Sequence, residues 1–189
     1  MRRLGILLSG RGSNFQAIHH SIERGDLQAE IACVISNVPG AGGVEYAKSK
    51  GLTTYALESK GVPRVEFDRK VIEILHEHGV ELVCLAGYMR LLSVQFVDAF
   101  RGRIINIHPS LLPAFPGLHA QKQALDAGVK EAGCTVHYVD EGLDSGPVIL
   151  QARVPVLATD TEETLSARIL EQEHRIYTEA IRMVFETLA

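Results

Sequence analysis

The chain has 189 residues, of which 46% are hydrophobic and 22% charged, and its formal net charge is −4. These proportions are typical of one globular domain, and the acidic balance disfavours a nucleic-acid partner. The cysteines show neither disulfide nor zinc-site spacing, and each lies in an apolar run: Cys33, Cys84 and Cys134. Buried thiols, and the lack of a signal peptide or membrane-length apolar run, predict a cytoplasmic protein that needs no membrane.

Up to residue 107, short apolar runs alternate with longer amphipathic stretches. The apolar runs predict strands at 4–8, 31–35, 53–57, 82–86 and 104–107. Helical spacing, usually ended by glycine, predicts helices at 14–24, 44–50, 64–78 and 94–100. This alternation predicts an α/β fold with a doubly wound, mostly parallel sheet, helices on both faces and a Rossmann-like N-terminal half. Ligands of such folds bind beyond the carboxyl ends of the strands.

After residue 108 the pattern changes, because prolines at 109, 113 and 116 mark a long rigid loop. A helix at 120–127 and strands at 135–139 and 148–156 follow, and the turn-rich segment 140–147 joins the two strands. The last predicted helix, 161–188, begins with a cap formed either by Thr161 and Thr164 or by Asp160 and Glu163. We expect one domain over 1–189, with an N-terminal half of about 1–100 and a C-terminal half of about 101–189.

The loop 9–14, between the first strand and the first helix, has the sequence Ser-Gly-Arg-Gly-Ser-Asn. Glycine lets a ligand approach the backbone, and the start of a helix favours an anion. No Walker lysine follows, Phe15 stands where a dinucleotide fingerprint has its third glycine, and no acidic residue ends the second strand. The loop therefore favours a single phosphate over a dinucleotide, and a plain tight turn with a helix cap is the alternative.

A polar pair ends the strand at 104–107. Strand alternation puts Asn106 and His108 on one face, where a neutral donor and a titratable donor suit a developing oxyanion. The turn-rich segment carries Asp144, a carboxylate that would hold a nearby imidazolium, although spacing does not prove that the two meet. A half-buried structural histidine is the alternative for His108. Four residues, His108, His119, His137 and Asp144, are conceivable metal ligands. Their spacing matches no zinc signature, so we expect no metal there.

Longer motifs resemble the folate-dependent formyltransferases. They are Asn-Ile-His-Pro-Ser-Leu-Leu-Pro at 106–113 with Pro-Gly-x-His at 116–119, and Leu-Asp-Ser-Gly-Pro-Val-Ile at 143–149. The segments Leu-Ala-Gly-Tyr-Met-Arg-Leu-Leu at 85–92, Gly-Ser-Asn at 12–14 and Gln-Glu-His at 172–174 resemble the same family. The resemblance spans nearly the whole chain and implies the formyltransferase fold. It also implies direct transfer of a formyl group from the co-substrate 10-formyltetrahydrofolate to the amine of glycinamide ribonucleotide, in purine synthesis and without a metal.

The resemblance further assigns roles to single residues. It implies that the reaction is carried by Asn106, His108 and Asp144. It implies that the substrate phosphate and ribose bind to Gly12, Ser13, Asn14 and Glu173. It implies that the folate binds to Arg64, Met89, Arg90, Leu91, Leu92, Asn106, Asp140, Glu141, Gly142, Leu143 and Asp144.

Three alternatives stay open from the sequence. Formyltetrahydrofolate hydrolase shares the motifs, but it carries an added N-terminal domain that we do not expect here. Methionyl-tRNA formyltransferase carries an added C-terminal domain, and the acidic charge of this chain also opposes it. A non-catalytic sugar-phosphate-binding module is the alternative outside the family. Monomer and homodimer are equally open.

Overall fold

The computed structural model describes residues 1–188, which form two compact units that meet within one strand. The first unit covers Met1–Ile105, and the second begins at Asn106. The first unit contains β1 (Arg2–Leu8), α1 (Ser13–Glu23), β2 (Ala29–Ser36), α2 (Gly42–Ser49), β3 (Thr54–Ala56), α3 (Arg64–Glu77), β4 (Leu82–Leu85), α4 (Val94–Ala99) and the start of β5 (Ile104–His108). The second contains the rest of β5, α5 (Ala120–Ala127), β6 (Glu131–Tyr138), β7 (Val148–Pro155) and α6 (Glu162–Leu188).

The strands of the first unit are nearly continuous apolar runs, as expected for parallel strands covered by helices. β1 pairs in parallel with β2 and with β4, and β2 pairs in parallel with β3. Their side chains form a core together with the buried face of α3, on which Phe67, Val71 and Leu75 repeat at helical spacing. The predicted elements of this unit are all present, within three residues of their predicted ends.

The second unit is built on an antiparallel pair, β6 and β7, against which α6 packs. The predicted start of β6 at residue 135 is wrong, because the strand begins at Glu131. Gly133 lies inside the ladder opposite Arg153, where a Cβ would overlap the carbonyl oxygen of Ala152. Close approach of two backbones explains this glycine.

The last helix, α6, begins with the cap that was predicted from Thr161 and Thr164. Each of these threonines accepts the backbone N–H of the other through its hydroxyl, at 2.9 and 3.2 Å. The alternative cap from Asp160 and Glu163 is not seen among the described residues. The carboxylate of Asp160 instead accepts hydrogen bonds from Arg168 and from the backbone N–H of Leu157. The cap therefore satisfies helix-start N–H groups that would otherwise lack partners.

The seven strands follow the order β3-β2-β1-β4-β5-β6-β7. This order, with parallel pairs in the first unit and one antiparallel pair in the second, confirms the predicted α/β fold with a mostly parallel sheet. No helix within residues 1–188 is long and apolar enough to cross a bilayer. All three cysteines are buried free thiols, and burial raises the pKa of Cys33 and of Cys134 to about 12.

Candidate active site

The carboxyl end of β5 carries two polar side chains between buried isoleucines. Asn106 is half-buried and His108 is only 6% exposed, whereas Ile104, Ile105 and Ile107 are buried in the core. A strand turns alternate residues to the same face, so Asn106 and His108 point the same way. The strand therefore holds an amide and an imidazole side by side, as the sequence predicts.

Both ring nitrogens of His108 face oxygen atoms. Nε2 lies 2.9 Å from the carbonyl oxygen of Phe115, and Nδ1 lies 3.5 Å from Oδ2 of Asp144. Because the carbonyl can only accept, Nε2 carries a proton and donates it there. Nδ1 lies at a distance from Asp144 that is beyond an ordinary hydrogen bond, so this nitrogen is held less tightly than Nε2.

The carboxylate of Asp144 is fixed from the other side by the backbone. Its Oδ2 accepts the N–H of Gly117 at 2.9 Å, its backbone adopts φ +50°, and its side chain is only 10% exposed. Its Oδ1 lies 3.8 Å from Nε2 of His137. The structure therefore brings Asp144 and His108 together and adds a second imidazole on the opposite side of the carboxylate.

His137 is a residue of this cluster that the sequence suggested only as a candidate metal ligand. It lies on β6, is 2% exposed, and its Nε2 is 3.4 Å from Nδ2 of Asn106. Burial lowers its pKa, against the opposing effects of the Tyr138 carbonyl and Asp144. A signal was present, because Thr135 and His137 are polar residues at alternate positions of an otherwise apolar run. Among residues 1–188, no three His, Cys, Asp or Glu side chains are grouped so that they could hold a metal ion.

The loop that supplies the Phe115 carbonyl is tied to the two antiparallel strands. The hydroxyl of Thr135 donates to the carbonyl of Ser110 at 2.7 Å and accepts the N–H of Leu112 at 3.1 Å. Gln151 donates its amide to the carbonyl of Leu112 at 2.9 Å. These bonds bring the loop back over the end of β5, which positions the Phe115 oxygen against His108.

In the first unit, the glycine loop that is predicted to bind a phosphate leads directly into α1. Gly12 caps α1 in the left-handed region, with φ +70°, and a Cβ there would press on Leu8 and Phe15. No side-chain hydrogen bond caps this helix start. The predicted phosphate residues 12–14 therefore lie at the start of an 11-residue helix, and Asn14 is buried.

One serine ties this loop to the predicted folate segment. Ser9 donates its hydroxyl to Asn37 at 2.5 Å and accepts the backbone N–H of Met89 at 2.8 Å. Its own N–H donates to the carbonyl of Gly87 at 3.1 Å. The amide of Asn37 in turn donates to Ser59 at 3.1 Å. The loops that follow β1, β2, β3 and β4 are thereby connected at one edge of the first unit.

The predicted folate residues occur in both units. In the first unit, Arg64 is exposed at the start of α3, Leu92 is half-buried, and Met89 and Leu91 are 66% and 57% exposed. The guanidinium of Arg90 stacks on the ring of Phe67, 4.8 Å from its centroid.

In the second unit, Oδ1 of Asp140 closes a turn by accepting the N–H of Gly142 and the hydroxyl of Ser145, both at 2.9 Å. Glu141 and Leu143 are exposed on this turn, whereas Glu173, the predicted ribose ligand, is buried on α6.

Comparison with known proteins gives two kinds of relative. A trifunctional purine biosynthetic protein adenosine-3 from Drosophila pseudoobscura is 50% identical over 97% of this chain, but the chain spans only 14% of that relative. A phosphoribosylglycinamide formyltransferase from Bacillus subtilis is 44% identical over 97% of this chain and 95% of its own length.

Structural comparison gives the same type of protein. The solved structure of a glycinamide ribonucleotide transformylase 1 from Symbiobacterium toebii matches with a TM-score of 0.95, at 53% identity over 99% of this chain and 89% of its own. The family model described as formyl transferase matches residues 2–181. On these grounds, the chain belongs to the formyl transferase family.

Proposed function

We propose that this protein transfers the formyl group of 10-formyltetrahydrofolate to the amine of glycinamide ribonucleotide, a step of purine synthesis. The observation that carries the proposal is the cluster of Asn106, His108 and Asp144, held within the second unit. Membership of the formyl transferase family and the names of relatives that match over most of their length support the substrates. The products are the N-formyl ribonucleotide and tetrahydrofolate.

The chemistry follows from the donors of the cluster. The amine attacks the formyl carbon, and the formyl oxygen gains negative charge. Asn106 donates an amide N–H to this oxygen, and His108 donates from Nδ1 while its Nε2 stays bound to Phe115. Such fixed donors are effective in a site with little water, and loss of one costs about 10²- to 10³-fold in rate.

Asp144 supports the charge on the imidazole during transfer. A ring that donates from both nitrogens is an imidazolium, and a carboxylate beside Nδ1 stabilises that form. Collapse of the tetrahedral intermediate returns a proton to the nitrogen of the departing folate, and the amine loses one, with Asp144 and His108 as the nearby exchange groups. General acid-base help of this kind is worth about 10² to 10⁴ in rate.

The glycine loop supplies a site for the phosphate of the acceptor. The N–H groups at the start of α1, with Gly12, Ser13 and Asn14, suit a doubly charged anion, and Glu173 is assigned to the ribose hydroxyls. Ser13→Asp tests this assignment, because a carboxylate there repels phosphate but is favourable for a helix start. We expect the KM for glycinamide ribonucleotide to rise at least about 10-fold and the KM for folate to stay unchanged. An unchanged KM for glycinamide ribonucleotide in Ser13→Asp, relative to the wild type, would remove phosphate binding from this loop.

The folate is assigned to exposed apolar and cationic groups. The pterin is bound by the segment Met89–Leu92 and the turn Asp140–Asp144, and Arg64 pairs with the carboxylates of the glutamate tail. We also place the protein in the cytoplasm, as three buried thiols suit a reducing compartment. Its partners in this proposal are small molecules, with no role for nucleic acid.

The experiment is a product assay with and without the acceptor. We expect folate turnover to require glycinamide ribonucleotide, and mass spectrometry to detect the N-formyl product rather than formate. Asp144→Asn should lower the rate about 100-fold or more, whereas Asp126→Asn, an exposed carboxylate paired with Lys122, should not change it. Formate release at full rate without acceptor would instead identify a hydrolase. Binding of a sugar phosphate without turnover would identify a non-catalytic module.

A further inference from the structure

His137 connects two of the groups assigned to the reaction, although no role has been given to it. Its ring is 2% exposed, and its Nε2 lies 3.4 Å from Nδ2 of Asn106 and 3.8 Å from Oδ1 of Asp144. Its Nδ1 lies 2.9 Å from the carbonyl oxygen of Tyr138. Every polar atom of the ring therefore has an identifiable neighbour, and these neighbours determine where its proton lies.

The Tyr138 carbonyl can only accept a hydrogen bond, so Nδ1 of His137 carries the proton. Nε2 then has a lone pair, which accepts an N–H from the amide of Asn106. A protonated ring would instead place a second N–H against the amide nitrogen. Desolvation lowers the pKa of His137, and His108 acts in the same direction, while the Tyr138 carbonyl and the carboxylates of Asp144 and Asp140 oppose them. The neutral ring with the proton on Nδ1 fits the contacts with Tyr138 and Asn106, and Oδ1 of Asp144, at 3.8 Å, lies too far from Nε2 for a hydrogen bond.

The orientation of Asn106 follows from this tautomer. The two ends of a side-chain amide have nearly the same shape, so packing alone does not choose between them. A lone pair at Nε2 of His137 selects the orientation in which Nδ2 faces the ring. One hydrogen of Nδ2 binds His137, and the other remains for an outside oxygen. Rotation of the amide would place a carbonyl oxygen where a donor is required.

We propose that His137 is a positioning residue, which as the neutral Nδ1–H tautomer orients the amide of Asn106 so that it donates to the formyl oxygen. This inference rests on the proposed function, because it assigns a role in the same transfer step. It predicts that His137 acts only through Asn106 and never contacts the transferred group.

A double-mutant cycle tests this dependence. We expect His137→Leu to lower kcat at least about 10-fold, with both KM values within about threefold, because one oxyanion donor is worth about 10²- to 10³-fold. In an Asn106→Ala background, the same substitution should change kcat less than about twofold. His137→Gln, which can present a neutral acceptor, should recover part of the loss. His76→Leu, at an exposed histidine on α3, is the control and should keep the wild-type kcat.

Three results would overturn the inference. Equal effects of His137→Leu in both backgrounds would show that its role is independent of Asn106. An inactive wild-type protein would remove the proposed function and this inference together, whereas an active wild type with additive effects would remove only the inference. A second test uses the wild-type protein: ¹⁵N NMR of the histidine rings should show the Nδ1–H tautomer for His137 at about pH 7. A protonated ring or the Nε2–H tautomer would contradict the positioning role.

Discussion

Replacement of Thr135 by Val removes one buried oxygen that organises the loop over β5. The hydroxyl is 0% exposed, donates to the Ser110 carbonyl, and accepts from Leu112 and from the amide of Gln151 at 3.0 Å. Valine keeps nearly the same shape but leaves the Ser110 carbonyl and the Leu112 N–H without this partner. Gln151 retains its bond to the Leu112 carbonyl at 2.9 Å, so we count two orphaned groups.

Each buried unsatisfied group costs about 1–3 kcal/mol, and part of this cost is relieved by relaxation, so the sum is about 2–4 kcal/mol. For a chain of this size, 1 kcal/mol lowers Tm by about 2–4 °C, which predicts a fall of about 4–16 °C. The same loop carries the Phe115 carbonyl that binds His108. We therefore expect kcat to fall several-fold as well, because the Phe115 carbonyl would no longer be held firmly against Nε2 of His108.

The assay is thermal and urea unfolding of Thr135→Val beside Thr135→Ser, together with the transfer rate of each. The serine variant keeps the hydroxyl and should lie within about 1 kcal/mol of the wild type. A valine variant whose Tm stays within about 2 °C of the wild type would show that the orphaned groups carry no cost, contrary to this prediction. Full activity in a strongly destabilised valine variant would separate the loop from His108.

Three further outcomes are expected. Gly133→Ala should destabilise the protein by about 2 kcal/mol or more in urea unfolding, because its Cβ would overlap the Ala152 carbonyl. The control is Gly40→Ala, whose Cβ meets open space and which should be neutral. Equal urea midpoints for the two variants would contradict this. The pKa of Asp160 is held below its ordinary value chiefly by hydrogen bonds from Arg168, so the contribution of this carboxylate to folding stability is complete above about pH 4 and is lost as pH falls further. Urea midpoints of Asp160→Asn, measured against pH, should lack this acid-dependent loss. A pH profile identical to that of the wild type would argue against it. Ellman's reagent should find no fast thiol in the native protein and three after unfolding, and a fast native thiol would disprove burial of Cys33, Cys84 or Cys134.

Local patterns in the sequence were sufficient for most of the fold. The helix predicted at 120–127 is confirmed at both ends, and Gly128 follows its C-terminal end in the left-handed region. The apolar spacing of α3 and the alternation at Asn106 and His108 likewise depend on neighbours along the chain, which a sequence displays directly. The first four residues of β6 were missed because the pairing that extends the strand comes from β7, a distant segment.

The candidate site was predictable in its side chains but not in its backbone groups. The carbonyl of Phe115 and the N–H of Gly117 bind His108 and Asp144, yet every residue carries such groups and no sequence pattern marks these two. His137 could be seen as a polar residue in a buried run. Its tautomer, however, depends on contacts with the Tyr138 carbonyl and with Asn106, which form only in the folded protein.

The most direct measurement is the single-turnover rate of formyl transfer by His108→Ala, with 10-formyltetrahydrofolate and glycinamide ribonucleotide both saturating. We expect a rate at least about 100-fold below the wild type, with the affinities for both substrates changed less than about threefold. A variant that transfers the formyl group at a near-normal rate would contradict it, since the imidazole could then not be a donor to the formyl oxygen.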